Sequence, residues 1–392
     1  MNKSDAPKTH ILTVNAGSSS IKLALFTAHD LRKVFEMAAQ NIGQPSARLI
    51  TSDGSKVVDL KNHAEAAALL LEQVPAQATI SAVGHRIVHG GPQYHTAQAA
   101  TNSVIKELRT LAAFDPEHLP AQLDLVEALQ KILPDTLQIL CFDTAFHHDL
   151  PARARLLPIP RHFEAKGIRR YGFHGLSYAY IAQELRRVEG VAAANGKVIV
   201  AHLGSGASVA ALHHGRSIDT TMSMTPTSGI PMSTRSGDLD PGLALYFATT
   251  EGYTAERFSH MVNFESGLLG MSGQTADMEK LLELEEHDIH AQETVDLFCY
   301  NVTKTIGAFA AALGGLNTVV FTGGMGENAP KIRTRICAGL EFLGVVLDKE
   351  RNQQNTRLIS ADGASVGIHV IHTDEAVMIA QETSKAVDRG TV

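Results

Sequence analysis

Residues 11–26, ILTVNAGSSSIKLALF, decide the fold of the chain. An apolar run at 11–14 predicts a short strand, residues 15–20 predict a polar turn, and a second apolar run at 21–26 predicts another strand. The small residues of the turn let backbone N–H groups approach a ligand closely, and Lys22 adds positive charge just beyond it. The turn therefore suits a phosphate, although a plain β-hairpin has the same pattern.

The composition limits the kinds of partner. The 392 residues are 44% hydrophobic, and 34 basic side chains stand against 41 acidic ones, for a net charge of −7. This balance argues against a nucleic-acid partner held by bulk electrostatics, but it allows a small anion held by a few placed cations. The three cysteines have no metal-binding spacing, and no apolar run is long enough for a signal core or a membrane span. We expect a cytoplasmic protein with no nucleic-acid or membrane partner.

The second half of the chain repeats the pattern of the first. Residues 197–201 predict a strand, HLGSGAS at 202–208 predicts a turn, and residues 209–212 predict the next strand. Ser208 stands at the start of that strand as Ser20 does in the first half. The repeat predicts an α/β protein of two related halves that face each other across a cleft. Residues 150–170, rich in proline and arginine, are the best candidate for the connection.

Periodicity and end signals place the other elements. Helices are predicted at 64–74, 104–111, 121–133, 294–313 and 374–386, strands at 80–88, 137–142, 318–321 and 366–371, and a long turn-rich loop at 224–242. Polar or glycine-rich segments follow several of the strands. Ligands in open α/β folds bind beyond the carboxyl ends of strands, so we expect the functional residues in these segments.

The segment GGMGEN at 323–328 lies between a predicted strand and a predicted helix, with Pro330 suited to the first turn of that helix. A strand, a glycine-rich loop and a helix N-terminus in this order place backbone N–H groups at a phosphate. The segment is neither a Walker A loop nor a GxGxxG motif, and a plain βα turn has the same pattern.

Charged side chains in these turns complete the set of candidates. Arg86 and Arg235 are guanidinium groups of the kind that stabilise a transferred phosphoryl group, although a single arginine is more often a surface residue. His174, at a predicted helix start, suits donation to a developing anion. Asp143 and Glu375 suit Mg²⁺ held through water, with a turn and a helix-dipole role as the alternatives. Together the candidates favour a nucleotide-using phosphotransferase.

Seven motifs occur in one order over nearly the whole chain: VNAGSSSIK, GHRIVHGG, FDTAFH, RRYGFHGLSY, AHLGSGAS, TRSGDLDPG and FTGGMGEN. In these motifs the chain resembles the acetokinase family of short-chain carboxylate kinases. The resemblance implies two duplicated ribonuclease-H-like domains around a central cleft, the fold shared by sugar kinases, the Hsp70 ATPase domain and actin. It implies a first domain of residues 1–148 with 375–392, and a second domain of residues 149–374 with the nucleotide site and a homodimer interface.

The resemblance also implies a reaction, the reversible in-line transfer of the γ-phosphoryl group from ATP to acetate, giving acetyl phosphate and ADP. It implies Mg²⁺, with Mn²⁺ as an alternative. The residues it assigns are Asn15 and Glu375 for the metal; Asp143, His174, Arg235 and Arg86 for catalysis; Arg86, Val88, Phe173 and Pro226 for acetate; and Lys22, His202, Leu203, Gly204, Ser205, Gly206, Asp277, Met278, Glu279, Gly323, Gly324, Met325, Gly326, Glu327 and Asn328 for the nucleotide.

Three segments depart from the family pattern. The usual Gly-Asn-Gly is Gly-Ser-Gly at 204–206, which gives up an amide. The usual Asp-Met-Arg is Asp-Met-Glu at 277–279, and this charge reversal leaves the preferred phosphoryl donor open. The usual Leu-His-Asn-Pro-Ala-Asn is Glu-His-Leu-Pro-Ala-Gln at 117–122, which leaves the preferred acyl chain open.

Two other functions are weighed against this one. A propionate or butyrate kinase differs by only one or two methylenes, worth about 1–3 kcal/mol each, so substrate use is expected to overlap. A clamp of the actin or Hsp70 kind that only hydrolyses ATP needs neither Arg86 nor His174, and as a chaperone it needs a further client-binding domain. The sequence has both residues and leaves no stretch for that domain. Pyrophosphate as donor stays open because of Glu279.

Overall fold

A computed structural model describes residues 9–17, 19–52 and 54–390. The chain divides into two compact units, Met1–Ala145 with Asp374–Val392, and Phe146–Thr373. The resemblance implies these two boundaries after residues 148 and 374. Ser18 of the predicted turn and the N-terminal residues 1–8 lie outside the described residues.

The strands and helices alternate along the chain. In chain order the strands are β1 (Thr9–Ala16), β2 (Ser20–Thr27), β3 (Lys33–Gln40), β4 (Arg48–Thr51), β5 (Gly54–Val57), β6 (Thr79–Ile87), β7 (Gln98–Ala99), β8 (Leu137–Phe142), β9 (Lys197–Leu203), β10 (Ala207–His213), β11 (Arg216–Thr220), β12 (Thr318–Thr322) and β13 (Gly367–Val370). The helices are α1 (His63–Glu72), α2 (Asn102–Thr110), α3 (Leu119–Ile132), α4 (Ala152–Arg155), α5 (Gly175–Asn195), α6 (Gly242–Thr250), α7 (Ala255–Phe264), α8 (Gly267–Ser272), α9 (Met278–Leu284), α10 (Ile289–Leu313), α11 (Gly323–Asn328), α12 (Pro330–Ala338), α13 (Lys349–Gln353) and α14 (Glu375–Asp388).

The first unit is built on one mixed sheet with the strand order β5-β4-β3-β2-β1-β6-β8-β7. The predicted hairpin of β1 and β2 lies at its centre, with Asn15 opposite Lys22. β3 continues the antiparallel pairing on one side, and β6 and β8 run parallel to β1 on the other. Since β1, β6 and β8 are parallel neighbours, their carboxyl ends lie at the same edge of the sheet.

Alternation along β1 and β2 divides the core of the first unit into two layers. Leu12 and Val14 pack with α1 and α3, whose buried residues include Leu70 and Leu129. Ile11 and Phe26 point to the other face, where they pack with Ala380 of α14. The last helix of the chain therefore covers the sheet on which the chain begins.

The second unit repeats this arrangement in a sheet ordered β11-β10-β9-β12-β13. β9, β10 and β11 are paired antiparallel, and β12 and β13 extend the sheet in parallel from β9. The same order and directions occur in β3, β2, β1, β6 and β8 of the first unit. On one face α5 contributes Tyr178, Ile181 and Leu185 to the core, and α10 packs against β9 and β10. The predicted duplication of ribonuclease-H-like domains is confirmed.

Two sequence expectations differ from the structure. Residues 323–328 form helix α11 directly after β12 rather than a loop, and the helix ends with the Ala329 N–H donating to the Met325 carbonyl. Residues 150–170 contain α4 and a 3₁₀ helix at Arg161–Lys166, and they belong to the second unit. Short helices of this kind have too few residues to show a periodicity. Within the described residues, no helix is long and apolar enough to cross a membrane.

Two buried histidines make the fold sensitive to acid. Burial lowers the pKa of His85 to about 4, although its hydrogen bond to Gln138 acts in the opposite direction. Burial likewise lowers the pKa of His147 to about 4, although the Phe173 carbonyl acts in the opposite direction. Each imidazole is neutral when folded and binds a proton more readily when unfolded. The contribution of the two neutral histidines to the free energy of unfolding is therefore complete above about pH 6.5, and it falls as the pH is lowered towards 4.

Each histidine is expected to contribute about 3 kcal/mol to this loss. Urea unfolding between pH 7 and pH 4 measures it in the wild type and in His147→Gln. The variant lacks one titrating group, so its free energy of unfolding is expected to fall less steeply over this range. Equal slopes for the two proteins would contradict the assignment.

Candidate active site

The ends of three parallel strands bring together polar side chains in the first unit. Asn15 lies near the end of β1, Arg86 near the end of β6, and Asp143 directly after β8. The backbone N–H of Asp143 donates to the Ile87 carbonyl at 2.9 Å, which fixes this side chain next to β6. Glu375, the first residue of α14, completes the group from the far end of the chain. We call these four residues the strand-end cluster.

Arg86 is the centre of the strand-end cluster. Its Nη2 and Nε donate to Oδ2 of the fully buried Asp143 at 2.5 and 2.9 Å, and its Nη1 lies 3.4 Å from Asn15 Oδ1. Burial opposes the charge on Arg86, but the carboxylates of Asp143 and Glu375 outweigh it and raise the pKa of Arg86 above its ordinary value. The guanidinium is therefore a permanent cation, held rigidly by one carboxylate and with N–H donors left for a second.

The strand-end cluster also has the donor set that Mg²⁺ prefers. Asn15 Nδ2 donates to Glu375 Oε2 at 2.6 Å, so the two residues assigned to the metal are in direct contact. Mg²⁺ is bound by one or two carboxylates, with waters and substrate phosphates as its other ligands. The described residues contain no group of three or more His, Cys, Asp or Glu side chains arranged for a metal. One carboxylate and one amide oxygen therefore fit a cation whose remaining ligands are waters and the phosphates of a substrate.

Gln122 of α3 links the backbone beside the strand-end cluster. Its Oε1 accepts from the Val88 N–H at 2.9 Å, and its Nε2 donates to the Ala16 carbonyl at 3.3 Å. Gln122 and Ala16 also line a small cavity of about 40 Å³, together with Gly17, His63, Glu117, His118 and Ala121. The longer side chain that replaces the family's asparagine therefore sets the position of Val88, one of the residues assigned to the acyl group.

In the second unit, two histidines stack beside the turn at 202–206. His174, just before α5, and His202 of β9 have ring centroids 4.3 Å apart with 30° between the ring planes. His174 Nδ1 is 2.8 Å from Ser208 Oγ, and His202 Nδ1 is 2.8 Å from Ser177 Oγ. His174 has a φ of 57°, which is uncommon for a residue other than glycine and is often found at functional sites.

Gly206 marks the space that His174 and Arg235 share. A Cβ atom on Gly206 would lie 3.1 Å from His174 Nε2 and 3.6 Å from Arg235 Nη1. Arg235 Nη1 also donates to the carbonyl of Pro226, which is buried, at 3.3 Å. The N–H of Ser233 donates to the Ser205 carbonyl and fixes the arginine loop to the turn. Two cationic or donor groups thus face the same glycine, an arrangement suited to an anionic group.

The two glycine-rich segments assigned to the nucleotide adjoin each other. Thr322, at the end of β12, is paired with His202 in β9. Gly323 has a φ of 77°, and a Cβ atom there would lie 2.8 Å from the Leu203 carbonyl oxygen. Only glycine allows this approach. The backbone of α11 therefore begins directly against the turn at 202–206.

Glu327 has a structural part in this region that the sequence does not suggest. Its Oε1 accepts from Gly323 N at 2.9 Å and from Thr373 N at 3.1 Å, and its Oε2 lies 2.6 Å from His372 Nδ1. The carboxylate therefore joins the start of α11 to the segment that precedes α14. A direct contact of this side chain with phosphate would be repulsive, so any nucleotide contact here falls to the backbone.

Other assigned residues have local partners. Asp277 caps α9, because its Oδ1 accepts from Glu279 N at 3.0 Å, while Met278 is buried and the Glu279 side chain is exposed. These contacts lie within one helix start and do not join the segment to the two glycine-rich turns. Lys22 is exposed on β2. Phe173 is buried next to His174, and its carbonyl accepts from His147 Nε2 at 3.0 Å.

Comparisons with known proteins cover nearly the whole chain. The model of the acetokinase family matches residues 10–381. An acetate kinase of Rhodopseudomonas palustris is 43% identical over 395 residues, covering 97% of this chain and 99% of that protein. The crystal structure of a propionate kinase from Francisella tularensis has a TM-score of 0.89 at 33% identity, covering 96% and 99% of the two chains. That of Porphyromonas gingivalis acetate kinase has a TM-score of 0.85 at 33% identity, covering 97% and 100%. The chain belongs to the acetokinase family.

Proposed function

We propose that this protein transfers the γ-phosphoryl group of ATP to acetate, forming acetyl phosphate and ADP, and that it also catalyses the reverse reaction. Family membership supports a kinase of this class. The geometry that supports it is the approach of His174 Nε2 and Arg235 Nη1 to Gly206, where they lie 3.1 and 3.6 Å from the position of a Cβ atom. A transferred phosphoryl group spreads negative charge over its equatorial oxygens, and such donors stabilise that charge.

The chemistry needs no strong base. A carboxylate is already a nucleophile, so the difficulty is to bring it to the phosphorus of a polyanion. In the proposal the remaining N–H donors of Arg86 bind the acetate carboxylate, while Asp143 holds the guanidinium in place. His174 and Arg235 donate to the phosphoryl oxygens, and the backbones at 202–206 and 323–328 hold the nucleotide phosphates.

Asn15 and Glu375 are proposed to hold Mg²⁺, since the two side chains are in contact and each has an oxygen of the kind that the ion prefers. When bound, the ion neutralises phosphate charge and so lowers the repulsion between the two substrates. Mn²⁺, which accepts the same ligands, is the alternative.

Propionate is the second candidate acceptor, and the observation that favours it is Gln122. This residue replaces a shorter side chain and fixes Val88 at the proposed acyl pocket. The relative from Francisella tularensis is named a propionate kinase, so the fold accommodates that function. A single methylene contributes only about 1–3 kcal/mol to discrimination, and we propose acetate as the preferred acceptor with measurable use of propionate.

One set of assays tests the proposal. The purified protein is incubated with acetate, propionate or butyrate, each with ATP, GTP or pyrophosphate, and acyl phosphate is trapped by hydroxylamine. We expect most product from acetate with ATP. More product from propionate than from acetate would favour a propionate kinase. Product from pyrophosphate would indicate that the charge reversal at Glu279 changes the phosphoryl donor. ATP hydrolysis without product from any acceptor would favour the clamp.

We also propose a homodimer through the second unit. Helix α6, GLALYFATT, is strongly apolar and yet has no buried residue, and Leu245 on it is 68% exposed. Contiguous exposed apolar surface of this kind typically marks an interface.

The three cysteines are free and buried, which favours a reducing compartment such as the cytoplasm.

Leu245→Glu is expected to convert the dimer into a monomer, because a charge in an apolar interface loses its hydration without gaining a partner. Light scattering would then give the mass of one 42.0 kDa chain. Val191→Glu, at a half-exposed valine on α5 of the same unit, is the matched control and should stay dimeric. A wild-type protein that is monomeric at micromolar concentration would contradict the proposal.

A further inference from the structure

A buried chain of hydroxyl groups ends at His174. Tyr178 OH lies 2.6 Å from Ser208 Oγ, and Ser208 Oγ lies 2.8 Å from His174 Nδ1. Tyr178 and Ser208 are both fully buried. Tyr178 lies in the first turn of α5, four residues after His174, which precedes the helix. Ser208 is paired with His202 across β9 and β10 and completes the group from the sheet.

The direction of the hydrogen bonds in this chain follows from counting protons. Burial raises the pKa of the Tyr178 phenol, so it keeps its proton and must donate it. Among the described residues, the hydrogen-bond partner of Tyr178 OH is Ser208 Oγ. If Ser208 instead donated to the tyrosine oxygen, the buried phenol proton would have no acceptor, which is unfavourable. Tyr178 therefore donates to Ser208, and the single Ser208 proton goes to His174 Nδ1.

This direction fixes the tautomer of the neutral imidazole. Because Nδ1 accepts, the proton of neutral His174 is on Nε2. Nε2 is the ring nitrogen that faces Gly206, together with Arg235 Nη1. His202 stacks on the ring of His174 with centroids 4.3 Å apart, which limits rotation about the side-chain bond. The ring is thus held in one orientation, and its single proton is on Nε2, the nitrogen that faces Gly206.

We propose that Ser208 is a positioning residue for the reaction, and that Tyr178 sets its direction, so that His174 presents an Nε2–H donor to the transferred phosphoryl group. The inference rests on the proposed function for the identity of the anion, but its structural part does not. Neither Ser208 nor Tyr178 touches the substrate. They act through His174 and correspond to the outer partners that fix a histidine tautomer in metal sites.

The first test reads the tautomer directly. Protein labelled with ¹⁵N-histidine is studied by long-range ¹H–¹⁵N NMR at pH 8, and the His174 signals are identified by their loss in His174→Gln. The expected result is a protonated Nε2 and an unprotonated Nδ1. In Ser208→Ala, and to a smaller extent in Tyr178→Phe, a mixture of the two tautomers is expected. An Nδ1–H tautomer in the wild type, or no change in Ser208→Ala, would overturn the proposal.

The second test is kinetic. Ser208→Ala is expected to lower kcat by about tenfold to a hundredfold, because a misoriented donor loses most of its effect on the transition state. The KM for acetate should stay within about twofold, since the carboxylate is held elsewhere. Ser208→Thr keeps the hydroxyl and should restore the tautomer and most of kcat. A folded Ser208→Ala with an unchanged kcat would overturn the positioning role.

Ser217→Ala is the matched control. Ser217 Oγ lies 2.7 Å from Nδ1 of His147, whose Nε2 donates to the Phe173 carbonyl, so the two form a second buried serine–histidine pair, and neither side chain is assigned to the site. This variant should change the NMR signals of His147 and leave those of His174 and kcat unchanged. If the wild type makes no acyl phosphate, the proposed function fails, while the Ser208 tautomer measurement still decides the structural part.

Discussion

Arg86→Ala is expected to lower the rate of acyl phosphate formation by about a thousandfold or more, an effect of the size found when an arginine is removed from a phosphoryl-transfer site. The substitution removes the group proposed to bind the acetate carboxylate, so both the KM for acetate and kcat should change. The measurement is the hydroxamate assay with ATP and acetate, over a range of acetate concentrations.

The variant also leaves Asp143 buried without its partner. Removing one member of a buried ion pair costs about 3–5 kcal/mol, so loss of activity through unfolding must be separated from loss of the site. The double variant Arg86→Met with Asp143→Asn removes both charges. We expect it to have a larger free energy of unfolding than Arg86→Ala and to remain inactive. Arg109→Ala, which removes an exposed arginine paired with Asp124 in the same unit, is the control and should keep wild-type activity. Wild-type rates in either folded Arg86 variant would refute the assignment.

Arg235→Ala is expected to lower kcat by about a hundredfold to a thousandfold, with a smaller effect on the KM for acetate, because we propose that the side chain acts on charge that develops in the transition state. Arg235 is only half-buried, so the fold should survive, and circular dichroism tests this. Arg235→Lys keeps the charge but loses the planar fork, and only a minor part of kcat should return.

Arg216→Ala, at an exposed position on β11 of the same unit, is the matched control for Arg235→Ala and should retain the wild-type rate. If Arg235→Ala is folded and works within about threefold of the wild type, Arg235 does not stabilise the transition state as proposed.

Most of the strand-end cluster could be predicted from the sequence because it depends on simple geometry. Arg86 and Asp143 lie at the ends of apolar runs that read as neighbouring buried strands, and parallel strands bring such ends together. The contact between Asn15 and Glu375 was expected only from the family resemblance. Nothing local in the sequence shows that a helix 360 residues further along returns to β1.

The interactions around the turn at 202–206 could not be predicted from local sequence patterns. That Ser208 faces His174 depends on the register of β9 with β10 and on where α5 packs against them. A helix start at residue 174 could be predicted, but the strand against which this helix start packs could not. The bond that Glu327 accepts from the Thr373 N–H depends on the same packing, since it joins segments 46 residues apart.

The contacts of Gln122 could not be predicted from the sequence either. Its position in a helix could be predicted, and so could its difference from the family pattern. Its two hydrogen bonds, to Val88 and Ala16, arise because α3 packs across the ends of β1 and β6. The position of Val88, which we propose to line the acyl pocket, therefore depends on a packing detail that only the assembled unit shows.

The stoichiometry of one reaction tests the central claim most directly. Wild-type protein is mixed with ATP, Mg²⁺, acetate and hydroxylamine, and ADP and acetyl hydroxamate are measured from the same samples. Phosphoryl transfer to the carboxylate predicts equal amounts of the two products, with no ADP formed above the background when acetate is left out. ADP and inorganic phosphate formed at the same rate with or without acetate, and without hydroxamate, would contradict it.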